Sequence, residues 1–201
     1  MINFRSSDNH YGIAVCCFLL STATACFGQS FSLCAEATTL YLPASPWQRG
    51  AAAGLLWADT SRHWLMQAEY GQLEGSSVYK EKGYALHDRT KVISMRIAHG
   101  LAHKGPHTLY LGTRLDLFQA ERTLSGIELG WVGSSDASGE VMALSLLWKW
   151  HFSSLGSLHA FVDAGYLHVR SGGIVFKGIQ DRPLESSFLM AFGVGGSIAF
   201  L

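Results

Sequence analysis

Between residues 140 and 170 the chain alternates. Met142, Leu144, Leu146, Trp148, Trp150 and Phe152 share one parity, while Ala143, Ser145, Leu147, Lys149 and His151 share the other. The polar turn Ser153-Ser154-Leu155-Gly156-Ser157 then leads into a second alternating run, 158–170. A period of two puts successive side chains on opposite faces of a strand, so each run presents one apolar face. The first run is long for a soluble strand. It suits one tilted across a bilayer, which needs roughly 9–11 residues in the hydrocarbon. Its apolar face ends in Trp148, Trp150 and Phe152 beside the turn, where aromatic side chains gather at a membrane surface. The pattern predicts one hairpin of a membrane-spanning β-barrel.

The rest of the chain repeats the pattern. Alternating segments are predicted at 31–42, 50–58, 63–73, 90–102, 107–120 and 187–201, which with the hairpin makes eight strands. The predicted outward parities include Ala51, Ala53, Leu55 and Trp57, then Trp64, Met66, Ala68 and Tyr70, then Ile93, Met95 and Ile97. Leu109, Leu111, Leu115 and Leu117 form a further row, and Phe188, Met190, Phe192, Val194 and Ile198 close the set. Trp57 and Trp64 join Trp148, Trp150 and Phe152 as the expected aromatic belt. The connections alternate in length: 43–49, the short 59–62, the long 74–89, the short 104–106, the long 121–139, the short 153–157 and the long 171–186. Tight periplasmic turns opposite extended outer loops are the layout of an outer-membrane barrel, and an even count returns both barrel ends to the periplasmic side. The expected fold is all-β: an eight-stranded antiparallel up-and-down transmembrane barrel.

The opposite parity decides between membrane and soluble barrels. A lipocalin-like barrel is apolar inside and polar outside. Here the inward parity mixes small residues with Glu36, Glu69, Arg96, Arg114, Asp116, Lys149 and Asp163. An eight-stranded ring is just wide enough for side chains to fill, and charges persist in such a space when paired. We expect Glu69 to face Arg96 and Lys149 to bridge Asp116 and Asp163, in a structural charge network that closes the lumen.

Composition agrees with a membrane setting. Charged residues are 15% and apolar ones 48% of the 201 residues, with no net charge at neutral pH. That balance leaves no electrostatic footprint for nucleic acid. After residue 30 no apolar run approaches the roughly 18 residues of a transmembrane helix, so a membrane would have to be crossed by strands. At the amino terminus, Arg5, the apolar stretch Gly12 to Leu20 and Ala23-Thr24-Ala25 follow the pattern of a secretory signal peptide. The expected organisation is a cleaved segment 1–25 and a barrel domain 26–201; cleavage at Ala35-Glu36-Ala37 and lipidation of Cys26 are the alternatives. Cys16 and Cys17 would leave with the signal, while Cys26 and Cys34 could pair in an oxidising compartment.

Candidate chemistry is sparse. No Cys/His spacing points to zinc and no cofactor motif is present. His99, His103 and His107 flank a short turn without a carboxylate or cysteine beside them, and read as polar strand ends. Trp148-Lys149-Trp150-His151-Phe152, a turn, and Phe161-Val162-Asp163-Ala164-Gly165 resemble a hairpin of small Gram-negative outer-membrane barrels. The same stretch resembles the lipid A 3-O-deacylases. That resemblance implies hydrolysis of an ester-linked acyl chain of lipopolysaccharide by a His-x-Ser pair and an acidic partner. In this chain the His-x-Ser pair is His151 and Ser153, with Asp163 as the acid that could orient His151. The predicted topology places them at the periplasmic end, where they read equally as a strand end before a turn.

In the outer loops Trp131 and Phe176 are apolar enough to touch lipid headgroups. The carboxyl-terminal strand, ending Phe200-Leu201, resembles the segment that outer-membrane insertion machinery recognises. The expected partners are therefore outer-membrane lipid, lipopolysaccharide and that machinery. The leading expectation is a non-enzymatic barrel with a structural or surface-interacting role. An acyl hydrolase acting on lipopolysaccharide and a soluble periplasmic lipid carrier are the alternatives.

Overall fold

The computed structural model describes residues 29–41, 47–59, 61–80, 83–126, 132–171 and 186–200. The expected signal segment 1–25, Cys26, Trp131, Phe176 and Leu201 lie outside them. Eight strands run in order: β1 (Gln29–Tyr41), β2 (Gln48–Asp59), β3 (Trp64–Tyr79), β4 (Tyr84–Lys104), β5 (His107–Gly126), β6 (Val132–His151), β7 (Gly156–Ser171) and β8 (Ser187–Ala199). Each pairs antiparallel with its neighbours, and β1 pairs with β8 to close the ring. Stepping across paired partners from Leu40 through Ala191, Asp163, Ser145, Gly112, Ala98, Leu65 and Ala58 returns to β1 at Ser30, ten residues displaced. A stagger of that size tilts the strands by about 35–45° from the barrel axis.

The apolar parity read from the sequence points outward on every strand. Met142, Leu144 and Ile198 are 70%, 65% and 69% exposed, and Leu33, Ile93, Leu117 and Val194 are also more than half exposed. A soluble monomer does not leave so continuous an apolar surface in water. Among the described residues no helix is long and apolar enough to cross a membrane; the continuous apolar surface belongs to the strands. Backbone groups in hydrocarbon must be satisfied within the protein, and the closed ladder does this without leaving an edge.

The three connections expected to be short, β2–β3, β4–β5 and β6–β7, lie together at one end. Gly105 and Pro106 alone join β4 to β5, with Gly105 at φ +58°, a conformation an L side chain resists and the first position of a hairpin turn commonly needs. Arg62 occupies the same left-handed region between β2 and β3. Its guanidinium donates to Gly105 O at 3.1 Å, tying two neighbouring turns together. Asp59 accepts from the Ser61 hydroxyl and from Trp64 N at 2.9 Å. Slight burial works against its charge, yet these donors hold its carboxyl below the usual range.

The other end departs from expectation. Residues 74–89 and 121–139, read as long loops, are largely strand: β3 and β4 stay paired up to Tyr79 and Tyr84, and β5 and β6 up to Ser125 and Val132. These four strands therefore rise past β1 and β2, whose pairing stops at Leu40 and Gln48. The reason is a reversal of phase. Lower on β4, Ile93, Met95 and Ile97 face out and Ser94 and Arg96 face in. Higher on the same strand Tyr84, Leu86 and Val92 are buried inside, while Arg89 and Lys91 are exposed. The same exchange occurs near Leu73 on β3, Phe118 on β5 and Val141 on β6.

Candidate functional site in the barrel lumen

The lower reversal-free part of each strand sends its polar parity inward, and the stagger brings residues from distant strands to one height. Arg96 on β4 lies at the centre. Its Nη1 meets Glu36 Oε1 at 3.2 Å and Gln67 Oε1 at 2.6 Å, and its Nη2 meets Asp163 Oδ2 at 3.2 Å. Arg114, one strand on, holds Asp116 at 2.7 Å, Asp163 at 2.8 Å and the Ser94 hydroxyl at 2.9 Å. Gln67 Nε2 donates to both Glu36 Oε1 (2.6 Å) and Glu69 Oε1 (2.7 Å). His159 Nε2 lies 2.8 Å from Glu36 Oε1, and the Cys34 thiol 3.4 Å from Glu69. The Phe161 ring sits under both guanidiniums, 4.4 Å from Arg96 Cζ and 5.7 Å from Arg114 Cζ. All of these side chains are buried.

The detailed pairings differ from those expected. Arg96 reaches across to Glu36 and Asp163, and Gln67 stands between it and Glu69. Lys149 does not bridge Asp116 and Asp163, because register separates them. Asp163 is level with Ser145, four residues along β6 from Lys149, or about 13 Å at the rise of a strand. Asp116 is level with Val141, about twice as far away. Lys149 instead lies low in the lumen between Thr108 and His159. The central layer thus sets Glu36, Glu69, Asp116 and Asp163 against two guanidiniums and His159.

Apolar clusters lie on both sides of this layer. Leu56, Leu65, Tyr110 and Leu147 fill the end with the short turns. Phe118, Val141, Leu167 and Leu189 fill the lumen on the other side, leaving a cavity of about 40 Å³ floored by Arg114, Asp116 and Asp163. Higher still, Arg122 and Asp88 form a buried two-pronged pair at 2.7 and 2.8 Å. Sequence reading missed this pair by assigning both residues to loops. The apolar inward residues around it, Leu86 and Leu124, were the available signal.

His151, Ser153 and Asp163 do not come together. His151 is opposite Ser157, six residues along β7 from Asp163, which is about 20 Å. The Ser153 hydroxyl accepts the N–H groups of Leu155 (3.2 Å) and Gly156 (2.8 Å), and so shapes its own turn. The histidines near the adjacent turn also have separate partners. His103 Nδ1 lies 3.1 Å from the Thr108 hydroxyl, His99 stands edge-on to Trp64 at 4.8 Å, and His107 stacks on Trp148 at 5.5 Å. Among the described residues no group of three or more His, Cys, Asp or Glu side chains could hold a metal ion. Cys34 is a free, buried thiol.

On the exterior, Trp57, Trp64, Trp148, Trp150 and Phe152 all occur at the end with the short turns, Trp57 and Trp150 half-buried and the others exposed. A second aromatic group at the opposite rim, Tyr41, Trp47, Tyr166 and Phe188, was not singled out from sequence. Tyr41 and Trp47 rings are 4.9 Å apart, and Trp47 lies edge-on to Phe192 at 6.1 Å. Phe200 caps the closure of the ring, its N–H bonded to Phe31 O at 3.1 Å.

No protein-family model and no curated protein matches the chain. Solved structures do. A major outer membrane protein of Thermus thermophilus superposes with a TM-score of 0.60 at 10% identity, covering 86% of this chain and 99% of that one. Neisserial surface protein A (NspA) gives 0.54 at 14% identity over 86% and 97%. Ail, the attachment invasion locus protein of Yersinia pestis, gives 0.53 at 10% identity over 87% and 99%. With the apolar exterior, this shared ring makes the fold that of a small outer-membrane β-barrel, and places the chain in a bacterial outer membrane.

Proposed function

We propose that the protein is a non-enzymatic outer-membrane barrel with a structural or surface-interacting role, whose lumen is closed to ions and solutes. The observation that carries this reading is the Arg96–Arg114 layer, in which two guanidiniums tie carboxylates from β1, β5 and β7 across the bore. Apolar clusters on either side of it deny water a continuous path. Membrane lipid and lipopolysaccharide are its expected partners, and Phe200 with Leu201 its signal to the insertion machinery. Ail has been seen in complex with the heparin analogue sucrose octasulfate, which gives a surface-interacting role a precedent on this fold.

Purified protein reconstituted in a planar bilayer tests the reading. Heat-modifiable migration on a gel should accompany insertion, and conductance should stay at the level of protein-free bilayers. Steady ion-conducting steps would overturn the closed lumen. Mass spectrometry of lipid A from cells expressing the protein separately tests the acyl-hydrolase alternative. Unchanged acylation is expected, since His151, Ser153 and Asp163 are held apart.

A further inference from the structure

The outward wall is not uniform, and it departs from the apolar pattern on β1–β4. At the height where outward residues turn polar, Arg49 on β2 is level with Glu74 and Arg89, and Gln72 with Lys91. Arg89 is committed to Glu74 at 2.9 Å, and Gln72 donates to the same carboxylate oxygen at 2.9 Å. Glu121 stands next to Arg89 on β5. Arg49 and Lys91 are exposed and have no carboxylate partner among the described residues. Between the strand ends opens a pocket of about 420 Å³ lined by Trp47, Arg49, Glu74, Ser76, Ser77 and His87. Trp47 is half exposed there, its ring braced by Tyr41. The pocket therefore offers a cation, an aromatic face and the outward Ser76 hydroxyl, which lies 2.7 Å from His87 Nδ1, with its one carboxylate already neutralised.

Immediately toward the hydrocarbon the wall is cut back. Ala35 pairs with Ala53 and Ala37 with Ala51, where the neighbouring outward positions are Tyr70 and Val194. The alanines leave a groove of about 440 Å³ that reaches up to Gln72, which is level with Ala51, two residues from Arg49. A cationic, hydroxylated pocket at headgroup height thus continues into an apolar trough at chain depth.

We propose that this two-part surface binds a phosphorylated glycolipid of the outer leaflet, of the lipid A class. Arg49 and Lys91 take its phosphates, Trp47 and the Ser76 hydroxyl its sugar, and the alanine trough one acyl chain. Two cations on strands two apart and offset by two residues, about 12 Å from each other, suit a headgroup with more than one phosphate better than a monophosphate phospholipid. Charge-assisted hydrogen bonds to phosphate supply most of the selectivity, and the sugar-sized aromatic face the rest. The proposal rests on the outer-membrane reading above and deepens it by naming the lipid and the place.

The test uses the protein folded in detergent, with thermal unfolding followed on adding diphosphoryl lipid A, its dephosphorylated form, or phosphatidylglycerol. Diphosphoryl lipid A alone should raise the midpoint. Arg49→Gln with Lys91→Gln should weaken its binding at least about tenfold, and Ala53→Phe, which fills the trough and leaves the charges in place, should weaken it as well. Heat-modifiable migration controls for folding, and should the double variant fail that control, Ala53→Phe carries the test. Unchanged binding in the variants would overturn the proposal. So would an equal response to phosphatidylglycerol or to the dephosphorylated lipid, which would mark a general anionic surface. A wild-type chain that never becomes heat-modifiable would instead refute the membrane reading itself.

Discussion

Below the level of Gln72, Lys91, Gln119 and Glu140 the barrel is apolar outside and holds an ionic layer within; above it the same strands are polar outside and enclose Tyr84, Leu86 and Leu124 around the Asp88–Arg122 pair. The lower part has the pattern of a membrane barrel and the upper part that of a soluble one. A continuous hydrogen-bonded ladder joins them, so backbone geometry cannot be what distinguishes the two. What changes is the medium outside. Lipid makes an outward Leu neutral and an outward Arg costly, whereas water reverses both. The position of the exchange marks a membrane surface on four adjacent strands, β3 to β6, more sharply than the aromatic residues do.

The comparison makes different demands on the two interiors. In the lower one, stability depends on charges satisfying each other, since a buried ion pair adds little unless one partner is lost. Arg114→Leu leaves Asp163 and Asp116 short of a partner in the lumen and should cost about 3–5 kcal/mol, read by urea unfolding in lipid vesicles. Removing the carboxylate as well, with Asp163→Leu, should return part of that loss. A small effect from Arg114→Leu alone would mean that water already reaches the layer and screens it.

The two exteriors should differ almost as much. Leu144→Arg places a cation among lipid chains near the membrane's middle and should destabilise by about 2–4 kcal/mol. Thr123→Arg, on the outward face above the exchange, should change stability by less than about 0.5 kcal/mol. Equal costs at the two sites would abolish the boundary. The upper interior in turn should behave as an ordinary core. Leu124 is fully buried there, and Leu124→Ala should cost about 2–3 kcal/mol, toward the lower end for core truncations because a rim position can partly collapse. Insertion, which depends on the lower exterior, should be unaffected, and heat-modifiable migration checks this.

Period-two alternation made the eight strands and their outward faces legible, because lipid enforces one apolar parity without exception over each crossing. The same rule hid the upper strands. A reading that follows one parity sees the pattern end at Ile93 and Leu117, although Leu86 and Leu124 continue it on the other face. Within the ionic layer the sequence identified which side chains turn inward but not who meets whom. Pairing depends on the stagger of ten residues around the ring, which brings Asp163 to Arg96 and leaves Lys149 far below. No local spacing encodes that number. Gln67, which joins Glu36 to Glu69, and His159, which approaches Glu36, were passed over because neither has an obligatory charge.

A smaller effect than any of the core or lipid-face substitutions belongs to the end that looked most like chemistry. A nucleophilic serine needs its hydroxyl free to give a proton to a base, and Ser153 points its oxygen at two backbone N–H groups of its own turn instead. Ser153→Ala removes both acceptor contacts at an exposed hairpin, where water replaces them, so the loss should be about 1 kcal/mol. Lipid A recovered from cells carrying Ser153→Ala should have the same mass distribution as that from cells carrying the unaltered chain. A shift in acylation between the two would restore a catalytic serine, and with it would fall the expected assignment of the short turns to the periplasm.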